Sequence, residues 1–199
     1  MYRFYLLYCL FLCLGNILFA QTTGFEKGVP QSFCTVQSNE LSSSEEFYKE
    51  GKRSLAWQFS PRSVLTVKLD TPLHLDSVSK EKRGITLWIY NEQVRKDSLR
   101  FEFFSPTGHI SYRFGFRLNA QGWRACWIGF AHMKGDKQEN TIAGYRIVAP
   151  DNNGRVFFDR LVFPVKEMNQ RTTPDMQMPY NNSLTFRDLW HWCRVWQWE

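Results

Sequence analysis

Between Ser54 and Phe163 apolar residues recur at every second position rather than every third or fourth. "SLAWQFS" sets Leu55, Trp57 and Phe59 on one face, and "SVLTVKLD" does the same with Leu65, Val67 and Leu69. "GITLWIYN" turns Ile85, Leu87 and Ile89 one way and Trp88 and Tyr90 the other. In "SLRFEFFS", Leu99, Phe101 and Phe103 alternate with Arg100 and Glu102. In "ISYRFGFRLN", Tyr112, Phe114, Phe116 and Leu118 alternate with Arg113, Gly115 and Arg117. "WRACWIGFAH", "GYRIVAP" and "RVFFDRLVF" complete the series. Successive side chains of a strand point to opposite sides, so a period of two marks half-buried β-strands. Turn residues separate them at Ser60-Pro61, Pro106 to Gly108, Ala120 to Gly122 and Asp151 to Gly154. Short strands at a spacing of about 8–12 residues, with no helical stretch between them, predict an antiparallel β-sandwich or barrel. A parallel α/β sheet would need crossover helices. Residues 22–53 are less regular, with a first strand and the polar connection "SNELSSSEE".

The two ends follow other patterns. "MYRFYLLYCLFLCLGNILFA" carries one basic residue, Arg3, then an apolar run, then Ala20 before the polar "QTTG". This is the layout of a secretory signal peptide over 1–20, too short in its apolar part for a membrane span. Tyr8 before Cys9 and Leu12 before Cys13 argue against a lipoprotein signal. The expected location is therefore secreted or periplasmic. After Phe163 the period vanishes: "PVKEMNQRTTPDMQMPYNN", with Pro164, Pro174 and Pro179, reads as a linker over 165–184. The last segment, 185–199, reads as a helix start. Thr185 is placed to cap, Asp188 stands three residues on, and Leu189, Trp192, Cys193 and Trp196 share one stripe. Trp190 and Trp198 fall outside that stripe.

Charge and cysteines narrow the picture modestly. The formal charge is +6, and losing Arg3 with the signal leaves +5. This favours an anionic partner such as an acidic polysaccharide. No basic run or nucleic-acid motif appears, so nucleic acid is not expected as a partner. Cys34, Cys126 and Cys193 remain at irregular spacing, which allows one disulfide at most and reads better as small thiols.

No catalytic constellation is legible. His74, His109, His132 and His191 stand apart from other ligand types at metal-binding spacing, and His191 and Cys193 point away from each other on a helix. There is no Gly-rich phosphate loop, no Gly-x-Ser-x-Gly elbow and no HExxH. Glu45-Glu46 sits in a polar loop and reads as solvated. Glu26 and Asp159 are placed on the first and last candidate strands, often neighbours in a sandwich, with a loop at Glu50 to Arg53 able to add carbonyls. Two carboxylates plus carbonyl oxygens suit a hard cation such as Ca²⁺. The alternative is a surface Glu26 and an Asp159 paired with Arg160 or another arginine. Alternating aromatics are usually core, so Trp88, Tyr90 and Trp127, on the opposite face, are the candidates for stacking on sugars.

Several stretches together resemble a known family: "GFE", "YKEGKRSLAW", "ITLWIYNE", "FGFRLNAQGWRACWI", "FFDRLVFPV" and "RDLWHWCRVWQWE". They are similar to the N-terminal domain of the chondroitin sulfate ABC lyases, secreted bacterial polysaccharide lyases, over essentially the whole mature chain. The resemblance implies a jelly-roll β-sandwich over 21–164, like carbohydrate-binding modules and galactose-binding domains. It implies a following α-helical toroid, begun by 185–199, that carries catalysis by β-elimination. The toroid's His, Tyr, Arg and Glu have no counterpart in this chain. The resemblance also implies a structural Ca²⁺ at Gly24, Glu26, Glu50, Arg53 and Asp159, with Gly24, Glu50 and Arg53 offered mainly through carbonyls. The partner it implies is an acidic glycosaminoglycan, chondroitin or dermatan sulfate, supported or presented to the missing catalytic domain. A stand-alone carbohydrate-binding protein and a purely structural sandwich are the alternatives.

Overall fold

The computed structural model describes residues 22–36 and 40–165. The strands are β1 (Thr22–Thr23), β2 (Phe33–Cys34), β3 (Leu41–Ser44), β4 (Ser54–Phe59), β5 (Val64–His74) and β6 (Gly84–Asn91). Then come β7 (Ser98–Phe104), β8 (Ile110–Arg117), β9 (Gly122–Gly129), β10 (Thr141–Val148) and β11 (Gly154–Val165). They form two antiparallel sheets. One runs β3-β4-β11-β6-β9 with β1 also paired to β11; the other runs β2-β5-β10-β7-β8. Both sheets mix strands from the two halves of the chain, as a jelly-roll sandwich requires.

The period-two residues face the space between the sheets. Leu55, Trp57, Phe59, Leu65, Val67, Ile85, Leu87, Ile89, Leu99, Phe101, Phe103, Tyr112, Phe114, Phe116 and Leu118 are all buried in one core cluster. Leu69 is partly buried against it. The aromatic rings interlock: Phe101 stacks on Phe114 at 4.6 Å, and Phe103 meets Phe130, Tyr145 and Phe163 at 5.3, 5.5 and 5.5 Å. Each such side chain contributes roughly 1.5–3 kcal/mol on burial, so a core of this aromatic density holds a sandwich with no disulfide among the described residues.

Three features differ from expectation. A short helix, α1 (Ser77–Lys82), stands between β5 and β6, capped by Asp76, which accepts the Ser79 N–H at 2.6 Å. It buries no residue, so it has no apolar stripe for a helical period to reveal. Within the polar connection, "LSSS" forms β3, an edge strand against β4. An edge strand of this kind needs backbone pairing and one inward side chain, here Leu41, rather than sustained alternation. The last strand continues through Pro164 to Val165, past the expected boundary. The signal segment, the rest of the linker and the aromatic helix lie outside the described residues. No helix among the described residues is long and apolar enough to cross a membrane.

Candidate functional site

Four of the five residues of the expected cation site, Glu26, Glu50, Arg53 and Asp159, meet at one feature, a strap formed by residues 45–53 between β3 and β4. Phe47 anchors its first half. The Phe47 ring stacks on Tyr90 at 4.1 Å and meets Phe157 edge-on at 5.1 Å, covering the outer side of the six-stranded sheet. This cover explains how Phe157 is fully buried although its register partners Ala56 and Tyr90 belong to the outward rows. Arg155 holds the same half: its Nη groups donate to Glu46 at 3.1 and 2.8 Å, and its Nε and Nη2 donate to Glu92 at 2.9 and 2.6 Å.

Two carboxylates hold the second half. Asp159 Oδ2 accepts the backbone N–H groups of Lys49 and Glu50 at 2.7 and 2.9 Å, and Oδ1 accepts that of Arg160 at 2.7 Å. Glu26 Oε1 accepts the N–H groups of Lys52 and Arg53 at 2.9 and 3.1 Å. Glu26 stands in a 3-10 turn (Phe25–Lys27), not on a strand as expected. That turn is pinned by Phe25, which is buried against Phe33, so its glutamate is carried to the strap on a fixed base. Gly51, at φ +70°, lets the chain turn between the two grips; a Cβ there would stand 2.1 Å from Glu26 Oε1.

Glu50 and Arg53 therefore present amide donors to these carboxylates, where carbonyl acceptors facing a shared ion were expected. The Glu50 side chain pairs with Arg160 at 2.6 Å, so the Arg160 guanidinium also holds the strap. Gly24 precedes the 3-10 turn in extended conformation. No group of three or more His, Cys, Asp and Glu side chains suited to a metal occurs among the described residues. Glu26 and Asp159 nevertheless keep oxygen lone pairs open beside these amides. A carboxylate offers about four lone-pair positions, and the three amide bonds of Asp159 and two of Glu26 leave some open. Burial pushes the Asp159 carboxyl above its ordinary pKa despite those amide bonds, so its charge is incompletely compensated. Lys49 answers part of it. Burial and then the Arg160 charge lower its pKa, Asp159 raises it, and its ammonium rests over Trp88 at 4.4 Å.

That placement also bears on the sugar-stacking candidates. Tyr90 has a ring face covered by Phe47, and Trp88 lies under Lys49, so protein groups already occupy both. Trp127 is half-buried. The histidines contain one surprise: His109 Nε2 lies 2.7 Å from Asp136 Oδ2, a pairing that a separation of 27 residues conceals. Both are partly exposed, and the Gln138 N–H, then His109, hold the Asp136 carboxyl below its ordinary range. A third group, the Glu139 carboxylate, lies within electrostatic reach of both. Cys126 is buried and Cys34 exposed, both free.

The family described as "Lyase, N terminal" matches residues 20–180. The chondroitin sulfate ABC exolyase of Bacteroides thetaiotaomicron is 35% identical over 170 residues, 84% of this chain and 16% of that protein. The exolyase of the same description from Proteus vulgaris is 31% identical over 159 residues, 80% of this chain and 16% of that protein.

The chain belongs to the lyase N-terminal domain family.

It spans about a sixth of the length of these curated relatives. Its fold is shared more widely. A CBM22 xylan-binding domain from Paenibacillus barcinonensis matches with TM-score 0.50 at 15% identity, covering 72% of this chain and 91% of that one. An exo-β-agarase matches with TM-score 0.53 at 11% identity, covering 74% and 25%. In this lyase N-terminal domain the strap itself went unseen in the sequence. The signal available was Phe47, the one Phe inside the polar run "SSSEEFYKEGKR", which needs a surface to lie on.

Proposed function

We propose that this chain is the non-catalytic accessory domain of a secreted glycosaminoglycan lyase, acting on the chondroitin and dermatan sulfate class by β-elimination. Its part is to support and present the acidic polysaccharide. The observation that carries this reading is how the domain uses its acidic side chains. Glu26 and Asp159 grip strap amides, Glu46 and Glu92 clamp Arg155, and Glu102 accepts from Arg100 and Arg146. The Arg155 hydrogen bond holds the Glu92 carboxyl below its ordinary pKa, which keeps it ionised and unsuited to act as a general acid. β-Elimination needs a base at the proton α to the uronate carboxyl, stabilisation of the enolate, and an acid at the leaving glycosidic oxygen. In this reading those roles fall to residues outside the sandwich, as the relatives' greater length supports.

The domain also takes a structural Ca²⁺ at the strap, with the open lone pairs of Glu26 and Asp159 as anionic ligands and neighbouring backbone carbonyls completing the oxygen set. The ion would supply charge compensation to a buried carboxylate and close the strap. Incubating the 199-residue chain with chondroitin sulfate tests the main reading. The expected result is retention on the immobilised glycan at low salt without release of unsaturated uronate product. Product formed by the chain alone would overturn the non-catalytic role, and absence of retention would overturn presentation.

A further inference from the structure

The outer side of the β2-β5-β10-β7-β8 sheet carries a cationic surface with an organised centre. The alternation that buries Leu99, Phe101, Phe103, Tyr112 and Phe114 sends Arg100, Glu102, Arg113 and Arg117 to the other side. The register sets Arg146 of β10, Glu102 of β7 and Arg113 of β8 side by side. With strands spaced about 4.8 Å apart, the two arginines flank the carboxylate from neighbouring strands. Arg100 lies two residues along β7, opposite Gly115, and Arg117 lies opposite Ser98. Lys68 of β5 pairs with Gly144 on the same sheet. Lys134, bridged to Arg113 backbone to backbone, adds a further cation at the β8 edge.

Glu102 makes this more than a patch of surface charge. Its side chain is 9% exposed, and its two oxygens accept from Arg100 Nε and Arg146 Nε, each at 2.6 Å. Both guanidinium groups are half-exposed and spend only Nε on the glutamate. Their Nη groups remain for an external anion, held at a fixed separation by a buried pivot. Arginine forks of this kind match the planar pair of carboxylate oxygens and the oxygens of a sulfate.

The floor between them is open. Gly115 sits among Arg100, Arg113 and Arg117 in an extended strand, where glycine weakens the strand and often marks close approach of a ligand. Packing does not call for it: a Cβ at Gly115 would meet only Ser98 Cβ, at 3.9 Å. Phe104 lies across Gly144, where a Cβ would stand 2.6 Å from its ring, giving the surface an aromatic group near Lys68.

We infer that this sheet face binds a linear polyanionic glycan, with Arg100, Arg113 and Arg146 contacting its carboxylates and sulfates and Gly115 admitting the sugar backbone. It rests on the reading of the chain as an accessory domain for an acidic polysaccharide, and charge complementarity selects the occupant. The experiment measures binding of the 199-residue chain to immobilised chondroitin sulfate. The variants are Arg113→Glu, Gly115→Thr and, as a control of equal charge change on the strap, Lys52→Glu. Arg100 and Arg146 are left intact so that Glu102 is not stranded in the interior. Arg113→Glu is expected to weaken binding by about tenfold or more and Gly115→Thr by about fivefold, each a shift of roughly 1–1.4 kcal/mol, with melting temperatures near wild type. Lys52→Glu is expected to bind like wild type. Wild-type binding that survives both face variants would overturn this surface and leave the accessory reading standing. No binding by the wild type would overturn both. Competition by duplex DNA equal to that by soluble chondroitin sulfate, at matched charge, would overturn the glycan assignment in favour of general cation exchange.

Discussion

The carboxylate of Asp159, on the last strand, accepts the backbone N–H of Lys49 at 2.7 Å, tying together positions 110 residues apart. The same oxygen takes the Glu50 N–H, and the side chain is 1% exposed. Asp159→Ala strands these donors, at a cost of about 1–3 kcal/mol. Asp159→Asn retains one acceptor oxygen and should cost less. Urea midpoints at constant slope measure both, and an unchanged Asp159→Ala midpoint would show that the strap is not held here.

The same variant tests the cation. Calcium that binds only the folded chain raises the melting temperature by mass action. We expect a rise in the wild type and none in Asp159→Ala. An equal rise in the two would remove Asp159 from the ligand set.

Gly51 and Glu26 form a coupled pair. In Gly51→Ala the new methyl group would displace Glu26 Oε1 from the Lys52 and Arg53 amides and also occupy a left-handed backbone position. A loss of about 1–2 kcal/mol is expected from the backbone alone. Since the displaced bonds are those that Glu26→Ala deletes, the double variant should be less destabilised than the sum of the singles. Strict additivity in a urea double-mutant cycle would refute the coupling.

Phe47→Ala should release the first half of the strap while leaving the sandwich intact. Its ring lies on the outer side of the sheet rather than in the main core, so we expect a loss of about 2 kcal/mol, below that of a core Phe→Ala. Limited proteolysis should then cut within residues 45–53 before the sheets unfold. Cleavage first elsewhere would assign the strap's stability to its carboxylate grips.

Glu92 provides the pH dependence. Its hydrogen bond from Arg155 lowers its folded-state pKa. A depressed acid contributes stability that is present above its unfolded value, about 4.3, and is lost as pH falls through the lower folded value. Wild type should exceed Glu92→Gln by about 1 kcal/mol at pH 7, a modest figure because both partners are part-exposed. The gap should close in acid. A gap independent of pH would mean that shape rather than charge makes the contact.

Much of the fold was legible because burial on one face of a strand imposes a period that any window reveals. Tyr112, Phe114, Phe116 and Leu118 show it, and all four are buried. α1 and β3 were not legible. A helix that buries nothing and an edge strand with one inward residue leave no periodic trace. The candidate site was half legible. Glu26, Glu50, Arg53 and Asp159 do meet, but whether the loop offers amides or carbonyls depends on backbone direction, which residue type does not encode.

The sequence by itself determined two faces for each strand, the breaks between strands and the residues that fill the core, because hydrophobic burial acts on each side chain locally. Only the tertiary structure decided which outward residues became neighbours. Arg146, Glu102 and Arg113 are distant in the chain and adjacent in the sheet, and Phe157 is outward in its strand yet buried under Phe47. Strand order and loop path are settled by packing among all the strands together, so they set the charge pattern and the strap that no single segment contains.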